Sequence, residues 1–505
     1  VLARPPAYGA KHEFFDSTAA MAVPGVKKVF PTPNGITVCA KTLDAAWKGR
    51  DALNVKWGKG SHPHMDTAFV EKSLMDDLKK TGATAAKRGD PSQALAKAGT
   101  TLEATYYVPA VAHVTMEPQT ATAYVQKDRC DVWAPTQGQT LAHMLAAKIS
   151  GAPKENTHIH TTMLGCGLGR RARPEQVVES VIASKALGKP VKVMYTREED
   201  IQTDFFRAPA AHRVKAGMDR NGRLTAWAHK LSSTSILKFI NPKGIKNGVD
   251  MYCLWGLADF PKSPAKNQDF MYDGIPNFSV DMVINDLPIT AAPWRSVQNG
   301  PNAFVIQSFM DELAHKAGKD PVEFRLAALG NNRRAKRVLQ QVAKKAGWGK
   351  PVPRGMGRGI AQHQCFETYI AAVADVSVNK TSGVVKVHRI VVAVDCGPAV
   401  NPDNVVAQLE GGITMALSTT LKEEVKFANG GVSSANFEDY PILSMSEVPD
   451  IEVHIVKSND AIGGIGELGI PATAPAVANA VFNATGKRIR RIPMTPETVL
   501  AALKS

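Results

Sequence analysis

The chain has 505 residues, too many for one hydrophobic core, and its 44% apolar and 21% charged residues describe an ordinary globular protein. The longest apolar runs, such as the one around residues 390–394, are far shorter than a membrane-spanning helix. The formal charge of +15 suits a solvated basic surface, an acidic partner subunit or an anionic cofactor tail. Nucleic acid is disfavoured as a partner, because the basic residues do not alternate with aromatic ones.

The first 78 residues predict a small α+β module. The segments "GVKKVF" and "GITVCA" are typical of strands, and "STAAMA" and "LDAAWKGRDAL" are typical of short helices. Residues 79–100 are polar and rich in Lys, Gly and Ala. They predict a linker or surface arm.

Residues 101–346 predict a second domain of mixed strands and helices. Strands with alternating polarity come first, followed by a helix over 139–150 and the strand "THIHTTML". After the glycine loop "GCGLGRR", Pro174 begins a helix and Gly188 follows its end. A strand "VKVMY" and two helices, over 302–316 and 321–329, complete this part.

A Gly- and Pro-rich boundary at 347–359 precedes a third domain, residues 347–505. The strands "YIAAVADVSV" and "VVKVHRIVVAVD", a helix over 404–417 and the strand "DIEVHIV" come first. The chain then forms a second glycine loop, "GGIGELG", followed by the helix "PATAPAVANAVFNATG". The irregular order of strands and helices predicts an α+β fold class.

Cysteines and histidines offer little sign of a metal site. The six cysteines form no CxxC pair and no ferredoxin or zinc spacing, so the chain is expected to carry no iron–sulfur cluster of its own. The pairs His62/His64 and His158/His160 place two histidines on one strand face, but no third ligand accompanies them. Solvated or packed histidines are the better interpretation.

Gly165, Gly167 and Gly169 form the first glycine loop, between a strand and a helix. Without Cβ atoms, such a loop brings backbone N–H groups close to an anion or a metal–oxo group. The spacing is GxGxG, and no acidic residue ends a second strand, which disfavours a dinucleotide-binding fold. A structural turn is the more common explanation for an isolated loop of this kind.

The second glycine loop holds a single carboxylate, Glu467. Gly464 and Gly466 on one side and Gly469 on the other leave this side chain room beside a bulky prosthetic group. The helix that begins near Pro471 adds amides able to receive an anion. A helix-capping glutamate in an ordinary turn explains the same composition equally well.

Several motifs, in order along nearly the whole chain, resemble molybdenum hydroxylases of the xanthine dehydrogenase and aldehyde oxidase superfamily. The matching branch is that of isoquinoline 1-oxidoreductase and membrane-associated aldehyde dehydrogenases. The motifs are "GCGLGRR", similar to GGGFGRR of that branch, "TREEDIQTDFFRAPAAHRV", "APWRSVQNGPNAFVIQSFMDELAHKAGKDPVEFRL", "VDCGPAVNPDNVVAQLEGGI" and "GGIGELGIPATAPAVANAVFNATGKRIRRIP". The resemblance implies a hammerhead-like module followed by two elongated α+β molybdopterin-binding domains.

The resemblance also implies roles for individual residues. Glu467 would be the general base of a hydroxylation, and Arg295 would orient substrate or stabilise negative charge, unless it forms a structural ion pair. The metal would be held by the pterin dithiolene, without a protein ligand. The cofactor-binding residues would be Gly165, Cys166, Gly167, Leu168, Gly169, Arg170, Gln408, Gly411, Gly464 and Gly466. Asn401, Glu410 and the stretch Met116, Glu117 and Pro118 match family motifs as well.

Three positions depart from the family pattern. Cys166 and Leu168 replace the usual Gly and Phe of the first loop, which alters the wall above the metal. Ala172 stands where xanthine-type enzymes have a substrate-binding glutamate, which argues against purine substrates. His143 stands where those enzymes have a glutamine that bonds the metal's oxo group.

The superfamily's MGQG motif does not occur in this sequence, which implies a companion chain carrying it. The resemblance predicts a molybdenum–molybdopterin cofactor in its cytosine dinucleotide form, a partner subunit with a [2Fe–2S] cluster, and cytochrome c as a further acceptor. The expected activity is the oxidation of an aldehyde or N-heteroaromatic substrate in the periplasm or at a membrane. A catalytically inactive scaffold subunit is the alternative.

Overall fold

The computed structural model describes residues 1–258 and 270–504. They form a mixed α+β structure, so the predicted fold class is confirmed. In this part of the chain, no helix combines the length and the apolar character needed to cross a bilayer.

The N-terminal residues form a small module of two sheets and two short helices. Its three-stranded sheet has the order β1-β4-β3, and β2 pairs with β5. Thr42 caps the longer helix by accepting a hydrogen bond from Ala45 N at 3.2 Å. The hammerhead-like description remains a prediction. The elements are β1 (Leu2–Ala3), β2 (His12–Asp16), α1 (Thr18–Ala22), β3 (Val26–Thr32), β4 (Gly35–Ala40), α2 (Leu43–Asp51) and β5 (Asn54–Trp57).

The middle of the chain contains two larger sheets and the helices that cover them. A five-stranded sheet has the order β6-β14-β13-β12-β7, and a four-stranded sheet has the order β10-β9-β8-β11. The elements are α3 (Thr67–Asp77), β6 (Ala83–Arg88), α4 (Pro91–Ala96), β7 (Thr100–Val108), β8 (Thr120–Val125), β9 (Cys130–Ala134), α5 (Gln139–Ser150), β10 (Thr157–Thr161), α6 (Glu175–Leu187), β11 (Val191–Met194), α7 (Arg197–Gln202), β12 (Ala210–Met218), β13 (Leu224–Thr234), α8 (Leu237–Ile240), β14 (Asn277–Asn285), α9 (Asn299–Lys316), α10 (Pro321–Ala328) and α11 (Arg333–Ala346).

The segment 79–100 is not a linker, which corrects the sequence-based prediction. β6 pairs antiparallel with β14 at the edge of the five-stranded sheet, with Ala86 opposite Val280. Asp90 then caps α4 by accepting a hydrogen bond from Gln93 N at 3.0 Å. An edge strand keeps one side in water, and its polar composition therefore resembles that of a loop. The remaining domain boundaries stay predictions.

The C-terminal part is built on a four-stranded sheet with the order β15-β16-β17-β20. Helices α11 and α13 both pack on this sheet. Gly359 allows α13 to approach closely, because a Cβ there would lie 2.2 Å from Ala480 N. The elements are β15 (Met356–Cys365), β16 (Thr368–Val378), β17 (Val385–Asp395), α12 (Pro402–Leu421), β18 (Phe427–Ala428), β19 (Gly431–Val432), β20 (Asp450–Ile455), α13 (Thr473–Thr485) and α14 (Pro496–Lys504).

Helix α9 joins the middle and C-terminal parts into one hydrophobic core. It is buried from Asn299 to Ala314 and contacts the five-stranded sheet, the C-terminal four-stranded sheet and α13. A helix buried on every side has no amphipathic period, which explains why its first turn was not predicted. Its N-terminus lies one residue after the "WRSV" segment, residues 294–297, and therefore fixes where that segment can lie.

Buried neutral histidines make the core sensitive to acid. Burial lowers the pKa of both His229 and His363 to about 3, and their rings bond to His212 and Asn299 respectively. The unfolded chain binds protons below about pH 6.5 while these folded rings do not, so stability falls from there toward pH 3.

We expect each of these two rings to cost about 2 kcal/mol of unfolding free energy between pH 7.5 and pH 5. Urea unfolding of His363→Gln, which can still bond to Asn299, should show a correspondingly smaller acid loss. The exposed residue His64 provides the control substitution, His64→Gln. An unchanged pH dependence in His363→Gln would contradict this explanation.

Candidate active site

The first glycine loop, residues 165–169, has a strained backbone. Its φ angle is +73° at Cys166, +56° at Leu168 and +109° at Gly169. Residues other than glycine rarely adopt this left-handed conformation, and they keep it only where the surroundings enforce it. The loop is therefore held by contacts from outside.

Two side chains from neighbouring segments hold the loop. Gly165 N donates to Glu117 Oε2 at 3.0 Å, and Gly169 N donates to Gln137 Oε1 at 3.1 Å. The fully buried Arg171 strengthens the first of these contacts, because its Nη2 donates to Glu117 Oε2 at 2.8 Å. Glu117 is thus a structural support of the loop.

Gly169 brings the first loop against the "WRSV" segment. A Cβ at this position would lie 1.7 Å from Pro293 O, so only glycine allows the two backbones to meet. Pro293 O also lies 3.1 Å from the ring Nε2 of the buried His113. The loop and the segment that begins at Pro293 are consequently one packed unit.

The "WRSV" segment makes a second strained turn. Ser296 has φ +77° and Val297 has φ +54°, although valine is β-branched and disfavours this conformation. Trp294 anchors the turn through a hydrogen bond from its Nε1 to Ala112 O at 3.1 Å. Strain of this kind clusters at functional sites, where a backbone group must point in one direction.

The second glycine loop is held by the β15–β16 hairpin and by α12. Gly464 N donates to Phe366 O at the hairpin tip, with a distance of 2.7 Å. Gly469 packs directly on α12, because a Cβ there would lie 2.7 Å from Ile413 N. Between these two fixed points the loop presents Glu467, which is half-buried.

Arg295 connects the turn, α12 and the second loop. Its Nε donates to Gly466 O at 2.7 Å, and its Nη2 donates to Gln408 O at 3.1 Å and to Gln408 Oε1 at 3.0 Å. A Cβ at Gly411 would come within 3.7 Å of its Nη1. The structure therefore brings together five residues predicted for the site: Arg295, Gln408, Gly411, Gly466 and Glu467.

Glu467 is half-buried, and the neighbouring groups neutralise its negative charge only in part. Burial raises the pKa of its carboxyl group above the ordinary value, and the Ser296 N–H and the Arg295 cation reduce this rise only in part. Among the described residues Glu467 forms no ion pair within 4.0 Å. A carboxylate with a raised pKa beside a fixed N–H donor is suited to accept a proton.

Both glycine loops contain backbone amides without acceptors. In the first loop, the N–H groups of Cys166, Gly167 and Leu168 have no hydrogen-bond acceptor within residues 1–258 and 270–504. In the second loop, the same holds for the N–H groups of Ile465 and Gly466. Free amides in a glycine-rich turn suit the oxygen atoms of an anionic or metal–oxo group. The residues present therefore fit a molybdopterin cofactor held between the two loops.

Arg170 does not lie at this site, which corrects the prediction that it binds cofactor. Its side chain is 1% exposed and pairs with Asp204 at 3.0 Å and Glu175 at 3.1 Å. Its guanidinium group lies over the ring of Phe205, 5.5 Å from the ring centre. Arg170 consequently supports the start of α6 from inside the protein, and the adjacent Arg171 is the arginine that reaches the loop.

Other residues singled out in the sequence have structural partners of their own. His143 Nε2 lies 3.0 Å from Lys154 O at the surface. Asn401 caps α12 by accepting a hydrogen bond from Asn404 N at 3.1 Å, and Glu410 is exposed on that helix. None of these contacts reaches the glycine loops.

The histidine pairs have no metal-binding arrangement. His160 contacts Asp131 at 2.9 Å and stacks on Trp133. His62 Nδ1 contacts Ser61 Oγ. In the part of the chain that the structure describes, no three His, Cys, Asp or Glu residues are close enough to hold a metal ion.

Sequence reasoning missed Gln137 and Ser296. Gln137 lies over the first loop, and its Oε1 would be 2.5 Å from a Cβ at Gly167. Gln137 therefore contacts the first loop, whereas His143 contacts Lys154. Ser296 acts through its backbone N–H, so no side-chain pattern identifies it. The only feature of the sequence that points to Ser296 is its position directly after Arg295 in the "WRSV" motif.

Comparison with known families identifies the class of protein that this fold and site define. Two family models, each described as a molybdopterin cofactor-binding domain, match residues 75–235 and 308–449. Together they cover more than half of the chain. The protein is thus one built to bind a molybdopterin cofactor.

Curated relatives narrow this class. The chain is 30% identical to a membrane-bound aldehyde dehydrogenase (pyrroloquinoline-quinone) of Gluconacetobacter polyoxogenes, with coverage of 99% of this chain and 68% of the relative. It is 30% identical to the beta subunit of isoquinoline 1-oxidoreductase of Brevundimonas diminuta, covering 99% and 64%, and to a nicotinate dehydrogenase subunit of Pseudomonas putida, covering 97% and 42%. The chain therefore belongs to the molybdenum hydroxylase large subunits, and it spans 42% to 68% of these relatives.

Solved structures share the fold at low sequence identity. The aldehyde oxidoreductase of Desulfovibrio gigas matches with a TM-score of 0.80 at 17% identity, covering 100% of this chain and 77% of that one. Quinoline 2-oxidoreductase of Pseudomonas putida 86 matches with a TM-score of 0.79 at 14% identity, covering 100% and 94%. These likenesses establish the fold.

Proposed function

We propose that this chain is the cofactor-binding subunit of a molybdenum-dependent oxidoreductase that hydroxylates or oxidises an aldehyde or N-heteroaromatic substrate, with water as the oxygen source. The observation that carries the proposal is Glu467, a desolvated carboxylate without an ion-pair partner in the described residues, within a glycine loop that has free amides. The names of the aldehyde, isoquinoline and nicotinate relatives support this range of substrates.

The residues of the chain have distinct tasks in this proposal. When bound, the molybdenum cofactor supplies the two-electron redox chemistry. The amides of Cys166 to Leu168 and of Ile465 and Gly466 hold its oxygen atoms. Glu467 accepts the proton released when oxygen from water is transferred to the substrate, and the Ser296 N–H fixes the direction of its carboxylate.

Arg295 sets the position and the basicity of Glu467. Two of its nitrogens are bonded to the second loop and to α12 and hold Glu467 in place, and its charge favours the ionised carboxylate. It acts on the reaction through Glu467.

The proposal extends to partners that the sequence predicted. Electrons pass to a subunit with a [2Fe–2S] cluster and then to cytochrome c. The cofactor is the cytosine dinucleotide form, and the complex works in the periplasm or at a membrane. Names of relatives that refer to subunits support an assembly of several chains.

Elemental and cofactor analysis of the purified native complex tests the proposal. We expect about one molybdenum per complex, release of a pterin nucleotide, and turnover of an aldehyde or heterocycle. Because the name of one relative includes pyrroloquinoline quinone, the same extract should be assayed for that quinone. Quinone without molybdenum would overturn the proposal, and the absence of both would favour the inactive scaffold.

Arg295→Met should shift the acid side of the pH profile of kcat/KM to higher pH. Loss of the cation removes an interaction that lowers the pKa of Glu467, so a smaller fraction of the base is ionised at a given pH. Arg295→Lys keeps the charge and should leave that side of the profile near its original position. A shift to lower pH in Arg295→Met would contradict the role assigned to this pair.

A further inference from the structure

The positive charge of the chain is concentrated in one segment. Residues 324–366 contain ten lysines and arginines and no aspartate or glutamate, so they supply two thirds of the formal charge of +15. Most of this charge lies on α11 and the turn that follows it. The proposed function uses none of these residues.

Four of the ten cations have structural partners. Arg325 is fully buried and donates to Gln307 O, and Arg358 pairs with Asp375 at 2.6 Å. Arg334 pairs with Asp395 at 2.8 Å, and Arg337 contacts Asp395 and Asp460. These four are accounted for by the fold.

Five of the remaining cations lie on α11 or in the turn that follows it, and we call them together the basic face. Arg333 is 82% exposed and only approaches Asp460 at 3.6 Å, and the four lysines form no ion pair with the described residues. The side chain of Lys350 folds back toward Gly347 at the end of α11. The basic face consists of Arg333, Lys336, Lys344, Lys345 and Lys350.

Helix α11 is amphipathic, with apolar residues on one side and basic residues on the other. Ala335, Val338, Leu339 and Val342 are buried against the C-terminal sheet. Arg333, Lys336 and Lys344 follow at spacings that keep them on the opposite side, along a helix of about 20 Å. This length is comparable to one side of a protein–protein interface of ordinary size.

The chemistry of the basic face favours an acidic protein over other anionic partners. A helix that binds a membrane needs a free apolar face, and the apolar face of α11 is used up against its own sheet. Binding of single-stranded nucleic acid without sequence preference relies on aromatic side chains that stack on bases. Helix α11 contains no aromatic residue, and Trp348 in the turn after it packs against the hydrophobic core. Carboxylates on the surface of a folded partner protein can bind the basic face without a free apolar face and without aromatic side chains.

We propose that the basic face is a docking surface for a partner protein with an acidic surface. The helix that carries it also supports the candidate site, because Arg334 donates to Glu367 O at the hairpin that holds the second glycine loop. A docked partner therefore contacts an element that supports the loop of Glu467. This inference is independent of which reaction the site performs.

Binding of the purified full chain to poly-L-glutamate, used as a simple acidic polypeptide, tests the docking surface. The variant Lys336→Gln/Lys344→Gln/Lys345→Gln removes three charges from the basic face while keeping good helix formers. The control variant Lys11→Gln/Lys27→Gln/Lys59→Gln removes three charges from exposed positions of the N-terminal module. Circular dichroism and unfolding midpoints establish that both variants are folded.

We expect the affinity for poly-L-glutamate to fall about tenfold in the basic-face variant and less than about twofold in the control, with both effects weakening as salt is added. Equal losses in the two variants would show attraction by net charge alone and overturn the proposal. A single-stranded oligonucleotide and vesicles containing phosphatidylglycerol are tested in parallel. A larger basic-face dependence for either of them would also overturn it, as would undetectable binding of poly-L-glutamate at low salt.

Discussion

Replacing Glu467 by Gln should abolish turnover while leaving the cofactor bound. A positioned general base contributes about 10²- to 10⁴-fold to a rate, and Gln cannot accept the proton. The fold around the site should persist, because Gln can accept the hydrogen bond from Ser296 N and the glycine loops keep their contacts. The measurements are kcat with the best aldehyde or heterocycle and the molybdenum content of the same sample.

Stability provides a second, independent test of the same variant. Burial raises the pKa of Glu467, which means that its ionised form destabilises the folded chain at pH above the ordinary carboxyl value. A neutral isostere removes this penalty, so Glu467→Gln should unfold at an equal or higher urea concentration at pH 7.5. Glu155→Gln, at an exposed position, is the control. Activity within about tenfold of the original chain would exclude Glu467 as the base.

Helices whose own sequence shows where they begin or end could be predicted. The helix α5 was expected over the residues that form it, because a glycine ends it and its apolar residues recur at helical spacing. The helix that follows Pro174 likewise ends at Gly188. The sequence predicts the start of α9 three residues late, since its first turn is buried on all sides and has no polar face.

Long-range contacts could not be predicted in the same way. β6 lacks a hydrophobic pattern and becomes a strand only because β14, almost two hundred residues later, offers it an edge. The supports of the first glycine loop, Glu117 and Gln137, are common polar residues at sequence separations of 48 and 32 from their partners. Such contacts follow from tertiary packing and leave no local pattern in the sequence.

The candidate site illustrates the same limit. The two glycine loops and the single carboxylate within the second loop are visible in the sequence, because glycine and Glu467 are required there by residue type. The carboxylate lies beside a backbone N–H at Ser296, in a turn whose strain is maintained by Trp294 and the packed first loop. Motifs thus identified the chemical group, and the fold supplied its orientation.

Gly169→Ala should disrupt the contact on which this orientation depends. The new Cβ would lie 1.7 Å from Pro293 O at a φ of +109°, so either the first loop or the "WRSV" turn must move. We expect a loss of about 3 kcal/mol or more in unfolding free energy, together with reduced cofactor content.

Gly188→Ala is the matched control for this substitution. Gly188 also has a positive φ, +66°, but no heavy atom lies within 4 Å of the point that a Cβ would occupy, so the cost should be only the backbone strain. That strain amounts to about 1–2 kcal/mol. Urea unfolding of the three chains at pH 7.5 measures the difference, and molybdenum content separates a local from a global effect. Equal losses in the two variants would mean that backbone conformation alone matters at Gly169, and that the close approach to Pro293 does not hold the two loops together.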